Sequence, residues 1–161
     1  MSTKDYIKDI PNFPKDGIMF KDIQPLLDDP QAFEDAIREM IDLLDNYEFD
    51  YVAGIEARGF IFATAIGWAT NSGIKLIRKA GKLPNSNLIS MEYGLEYGSD
   101  KIEMQEGSGK VLLVDDVLAT GGTLAAGKLL CELAGYEVVD QVCLLDIGLI
   151  KNHDIKCLIS Y

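Results

Sequence analysis

A chain of 161 residues, 48% of them hydrophobic, can bury one sizeable core and is no longer than one domain requires, so a single domain over residues 1–161 is expected. Its 26 acidic residues against 15 Lys plus Arg give a net charge of −11; this excludes an extended phosphate-tracking surface for nucleic acid and requires any anionic ligand to be small and locally compensated. The opening Met1-Ser-Thr-Lys-Asp-Tyr lacks the basic start and apolar core of a signal peptide, and no apolar run approaches the roughly 18 residues of a membrane span, so a cytoplasmic chain with no membrane partner is expected.

Pro11, Pro14, Pro25 and Pro30 crowd the first thirty residues, and each fixes its own φ and biases the preceding residue away from helix. Residues 1–29 therefore read as an extended, turn-rich arm, and the core as 30–161. Phe33, Ile37, Met40, Ile41 and Leu44 have helical spacing, with Asp29 as N-cap and Pro30 at N1. Residues 51–55 predict a buried strand, 60–68 a helix packed on it, and 73–77 the next strand. The stretch 91–104, with Gly94 and Gly98 among scattered apolar residues, predicts a mobile excursion and a candidate lid. Residues 110–116 form an apolar strand ending in two acids, followed by a Gly/Thr loop and the helical pattern Leu124, Leu129, Leu130, Leu133; 136–145 is a further strand. Strands alternating with helices predict an α/β fold: a central, mostly parallel sheet flanked by helices, with ligands bound beyond the carboxyl ends of its strands. Cys131, Cys143 and Cys157 are an odd number, widely spaced and without a CxxC pair, and are expected to be reduced small hydrophobes.

Val111-Leu-Leu-Val-Asp-Asp-Val-Leu-Ala-Thr-Gly-Gly-Thr123 carries the most chemistry. Gly121 and Gly122 permit close approach of backbone amides, Thr120 and Thr123 add hydroxyls, and the start of the following helix favours a phosphate dianion. No Gly-Lys-Ser/Thr follows, so this is not a Walker A loop. Asp115 and Asp116 beside a phosphate site suit a neutral polyol, whose hydroxyls they accept hydrogen bonds from, and a developing cation at an anomeric carbon. A bare Asp-Asp is more often a turn cap; the adjoining Ala119-Thr-Gly-Gly-Thr123 reverses those odds.

Val111 to Thr123 resembles the phosphoribosyl pyrophosphate (PRPP) motif of the type I phosphoribosyltransferases. Four further blocks in the same order resemble the adenine-using members: residues 10–27, 54–62 (Gly54-Ile-Glu-Ala-Arg-Gly-Phe-Ile-Phe62), 77–84 and 92–98, so that the resemblance covers residues 10 to 146. It implies the type I fold with a small N-terminal hood and a flexible catalytic loop, Mg²⁺ as cofactor held mainly by PRPP rather than by protein ligands, adenine and PRPP as substrates, AMP as product, and a homodimer.

Residue by residue, the resemblance implies that Ala119, Thr120, Gly121, Gly122 and Thr123 hold the 5′-phosphate and that Asp115 and Asp116 stabilise the ribose. Pyrophosphate falls to Glu56, Ala57, Arg58 and Gly59, whose loop is expected to contain a strained peptide, and to Arg78, Lys79 and Lys82, with Arg78 reaching the neighbouring subunit. The basic run alone would read as a solvated face, and Arg58 alone as a helix-end cation. Glu96, in the lid, matches a carboxylate that exchanges a proton with the purine, while Tyr93 and Tyr97 fit ordinary strand packing. Phe20 stacks on adenine, and the main chain of Met19 and Lys21 reads its amino edge. Lys21 stands where arginine is commoner, the 103–110 connection is short, and the segment after Asp146 departs from the pattern. His153, the only histidine, matches nothing in it and is expected at the surface. Two alternatives remain open: a transferase for another purine, and a PRPP-sensing regulator, against which stand the net charge and the absence of a helix-turn-helix segment.

Overall fold

The computed structural model describes residues 1–45, 48–84, 86–95 and 98–161. The chain forms two compact units, Met1–Glu39 and Met40–Tyr161.

In the first unit, β1 (Lys8–Pro11) and β2 (Met19–Asp22) pair antiparallel, with Ile10 opposite Phe20. The turn between them is closed by the Phe13 amide donating to the Ile18 carbonyl at 3.1 Å, so the proline-rich arm is a hairpin rather than irregular chain. The short helix α1 (Gln24–Asp28) follows, then α2 (Pro30–Asp42). Asp29 Oδ1 accepts the amides of Gln31 and Ala32, each at 3.0 Å, which is the N-cap predicted from Asp29-Pro30. Ala32, Ala36, Ile37 and Met40 are the buried stripe of α2.

The second unit is a seven-stranded sheet in the order β5-β6-β4-β3-β7-β8-β9. Its members are β3 (Tyr51–Ile55), β4 (Gly73–Lys79), β5 (Leu88–Leu95), β6 (Gly98–Gln105), β7 (Gly109–Leu118), β8 (Tyr136–Asp146) and β9 (Lys156–Ser160). Pairings from β4 through β3, β7 and β8 to β9 are parallel, and β6 pairs antiparallel with β4 and β5. This is the mostly parallel sheet that alternating strands and helices predict.

Side chains of β3 and β7 divide between two faces. Ala53, Ile55, Val111 and Leu113 join Leu124, Ala126 and Leu130 of α4 (Gly122–Leu133) in one buried cluster. On the other face, α3 (Gly59–Thr70) lies so close to β3 that a Cβ on Gly54 would meet Ala63 Cβ at 2.7 Å. The stretch 91–104, expected as an excursion with scattered apolar residues, lies in the paired strands β5 and β6, and Ile89, Met91 and Tyr93 of β5 pack half-buried on the α4-side cluster. β7 runs two residues beyond the acid pair, since Val117 and Leu118 still pair with Leu145 and Asp146 of β8.

Candidate active site

β3 is paired with β4 on one side and β7 on the other, so the connections leaving these strands depart in opposite directions, and the crevice beyond their carboxyl ends is where a doubly wound sheet places its ligand. Parallel register, with Gly54 opposite Val114, sets the loop after β3 beside the end of β7. The approach is close: a Cβ on Gly59 would stand 2.9 Å from Asp115 Oδ1. In this loop the Glu56–Ala57 peptide is cis.

A cavity of about 380 Å³ opens here, bounded by Glu56, Ala57 and Arg58 from the loop, by Lys79 of β4, and by Asp115, Asp116 and Thr123. Tyr93 of β5 and Asp100 of β6 complete it. Neither was singled out from the sequence as a site residue: Tyr93 read as strand packing, and only the pairing of β6 with β4 brings Asp100 to the crevice.

Asp115 and Asp116 are both buried. The Asp116 amide donates to Asp115 Oδ1 at 2.9 Å. Burial, and then the neighbouring charge of Asp116, push the Asp115 carboxyl up to about 8. Asp116 Oδ2 lies 2.6 Å from Arg58 Nε, yet that nitrogen is off the line of a hydrogen bond, and among the described residues this buried oxygen accepts none. A buried carboxylate oxygen in that condition has room for a further donor or a cation.

A smaller recess of about 60 Å³ adjoins the pair and is walled by the loop from Ala119 to Thr123. The first intrahelical bond of α4 runs from the Ala125 amide to Gly121 O at 2.9 Å, so the amides at the helix start have no carbonyl of their own helix to bond. Gly121 has φ +86°, which favours glycine, and a Cβ there would meet the Ile150 Cδ1 methyl at 2.7 Å, which could turn aside.

The basic residues converge on Glu56, whose side chain is only 8% exposed. Glu56 Oε1 accepts from Arg78 Nε at 3.0 Å and from the Lys79 amide at 3.2 Å, and Oε2 accepts from Lys82 Nζ. Burial pushes the Glu56 carboxyl up, and the bonds from Lys82, Lys79 and Arg78 outweigh it, leaving the group below the usual carboxylate range. Lys79 Nζ lies 3.5 Å from Asp100 Oδ2, and the Arg78 guanidinium stands 5.9 Å from the Phe60 ring.

Glu96 and Tyr97 lie outside the described residues. Met19, Phe20 and Lys21 form β2 of the first unit, where the Phe20 ring meets Phe13 edge-on at 5.1 Å and Lys21 Nζ is 2.6 Å from Asp9 Oδ1.

His153 is not the surface residue expected. Its side chain is 18% exposed; Nδ1 accepts the Ile155 amide at 3.2 Å, which puts the ring proton on Nε2, 2.9 Å from Asp146 Oδ2. The segment after Asp146 turns back to form β9, and this contact pins the turn. With Cys157 these residues make up the sole cluster of potential metal ligands among the described residues. Both imidazole nitrogens are already engaged, so the cluster is a structural clamp.

Residues 24–158 match the family model described as the phosphoribosyl transferase domain. The adenine phosphoribosyltransferase of Hydrogenovibrio crunogenus is 48% identical over 153 residues, spanning 92% of this chain and 88% of that protein. Among solved structures, the adenine phosphoribosyltransferase of Thermoanaerobacter pseudethanolicus superposes with a TM-score of 0.90 at 39% identity, covering 99% of this chain and 98% of the other. The Giardia lamblia APRTase in complex with 9-deazaadenine does so with a TM-score of 0.89 at 35% identity, covering 100% and 98%.

Proposed function

The chain belongs to the phosphoribosyl transferase domain family, and on that premise we propose that it transfers the ribose 5-phosphate of PRPP to adenine, forming AMP and releasing pyrophosphate in purine salvage. The observation that carries this reading is the junction of three features at the ends of β3, β4 and β7: a buried acid pair, an open helix start and a basic cluster.

PRPP divides naturally among them. Its 5′-phosphate takes the recess from Ala119 to Thr123, where amides of the α4 start and the Thr120 and Thr123 hydroxyls donate. The ribose hydroxyls lie against Asp115 and Asp116. With the Asp115 carboxyl raised to about 8 by burial, that group can donate to a diol as well as accept from it. As the C1–pyrophosphate bond lengthens, the anionic charge of the pair stabilises the oxocarbenium-like centre without attacking it. Pyrophosphate takes the loop from Glu56 to Gly59, with Arg78, Lys79 and Lys82. Phe20 stacks on adenine, the main chain at Met19 and Lys21 reads its amino edge, and Glu96 manages the purine proton as the new bond to N9 forms.

Mg²⁺ fits a site offering one or two carboxylates beside substrate oxygens, and when bound it would offset the leaving-group charge. It would be held mainly by the oxygens of PRPP, with Asp115 and Asp116 as the carboxylates beside them.

A homodimer is part of the proposal. α3 is apolar on nearly every side, and Trp68 is 87% exposed with Ile61 at 37% on the same helix. A helix of that composition calls for burial on both faces, and a second copy supplies it. One domain over residues 1–161, with 1–29 as the base-binding hood, and a cytoplasmic location complete the reading; among the described residues no helix is long and apolar enough to cross a membrane.

Incubation with Mg²⁺, PRPP and adenine should yield AMP and pyrophosphate in equal amounts, and Asp116→Asn should abolish both. Absence of AMP from wild-type protein would overturn the proposal.

A further inference from the structure

Both cations lining the cavity stand beside an acid of the chain itself, Arg58 at Asp116 and Lys79 at Asp100, and next to the cavity Arg78 and Lys82 stand at Glu56. The last group differs from an ordinary ion pair. A single half-buried carboxylate gathers a guanidinium, a main-chain amide and an ammonium, which is the donor set a phosphate oxygen cluster seeks. Glu56 also lines the cavity, in the loop that precedes the α3 start.

Resting on the proposed function, we propose that Glu56 is a built-in stand-in for pyrophosphate. In the free enzyme its carboxylate holds Arg78, the Lys79 amide and Lys82 in the array that pyrophosphate then takes over, and its return to those donors helps to expel the product.

The physical argument has two parts. Arg and Lys side chains carry much rotamer entropy, and a preassembled array has already lost a large part of it before ligand arrives. Against that gain, an incoming anion must displace a carboxylate already bonded to the same donors, so the net affinity for pyrophosphate is held down. A tight product is thereby converted into one that leaves. Glu56 is in these terms a positioning residue: it acts through the cations and touches no reacting atom.

The two roles open to Glu56 predict opposite signs. If it were only an anchor for the basic cluster, removing its charge would loosen Arg78 and Lys82 and weaken pyrophosphate binding. As a competitor, its removal strengthens binding.

The experiment is isothermal titration of Mg-pyrophosphate into wild-type protein and Glu56→Gln, with product inhibition by pyrophosphate and by AMP measured in parallel. Glu56→Gln keeps the side-chain shape and one carbonyl acceptor but loses the competing charge. It should bind Mg-pyrophosphate about tenfold more tightly or better, lower the inhibition constant for pyrophosphate in step, and leave that for AMP unchanged. Glu56→Asp, one methylene shorter and unable to reach all three donors, should fall between the two, and it carries the test if the glutamine variant does not fold. Equal or weaker binding in the variants, with wild-type protein binding normally, would overturn the role of Glu56 alone. Failure of wild-type protein to bind Mg-pyrophosphate at all would overturn the proposed function with it.

Discussion

Arg58 and Asp116 face each other across the crevice, Nε to Oδ2 at 2.6 Å, and in doing so leave Asp115 as the acid that carries the burden of burial. Burial first and the charge of Asp116 next push the Asp115 carboxyl up to about 8, and Arg58 offsets this only in part. An acid raised in this way binds its proton more tightly folded than unfolded. Its contribution to stability is therefore intact below the unfolded value near 4 and is lost as pH rises toward 8, at a limiting slope of about 1.4 kcal/mol per pH unit.

Asp115→Asn removes that titration. The variant should gain thermal stability relative to wild-type protein progressively between about pH 5 and pH 8, while losing transferase activity at every pH. Thermal unfolding of both proteins across that range is the check; a constant difference in Tm would mean that Asp115 ionises normally.

Gly121 and Gly122 adjoin in sequence and differ in what they require. Gly121→Ala places a side chain at φ +86° and against Ile150, so it should cost about 1–2 kcal/mol and raise the KM for PRPP at least about tenfold. At Gly122 the nearest atom to an added Cβ is Thr120 Oγ1 at 3.7 Å, an ordinary contact, and Gly122→Ala should leave stability unchanged within about 0.5 kcal/mol. Chemical denaturation and PRPP saturation curves of the two variants measure both; equal behaviour would remove the reason given for the glycine at 121.

What the sequence shows of the candidate site is local. The proposed phosphate cradle is a run of contiguous residues, so Ala119 to Thr123 reads directly as Gly and Thr at a helix start, and Asp29-Pro30 reads as a helix cap for the same reason. What escaped was contact made across the chain. Glu56 meets Arg78 and Lys82 through the register that sets Ile55 opposite Ile77, and nothing near position 56 announces those partners. Asp100 reaches the cavity only because β6 folds antiparallel onto β4. The β5–β6 hairpin read as a loose stretch since its glycines and charges mask a face that packs against α4. A lone histidine has no pattern that predicts burial, and its partner Asp146 lies just past the strand expected over 136–145, so nothing in the sequence pairs His153 with it.

Glu96→Gln should lower kcat by about 10²-fold or more and leave PRPP affinity nearly intact, the signature of a lost proton-transfer group. Steady-state kinetics with adenine and PRPP varied separately would show it. An unchanged kcat assigns the purine proton to another group.

Trp68→Glu places a charge on the exposed apolar side of α3 and should convert a dimer into monomers at micromolar concentration, with secondary structure retained. Light scattering coupled to size exclusion gives the mass of each. A monomeric wild-type protein, or a variant that stays dimeric, would remove α3 from the interface.

The choice of base is the central claim, and competition tests it most directly. Adenine, guanine, hypoxanthine and xanthine supplied together in equal amounts with Mg²⁺ and limiting PRPP should give AMP as nearly the whole nucleotide product, resolved by chromatography and mass. Comparable formation of GMP, IMP or XMP would contradict the account.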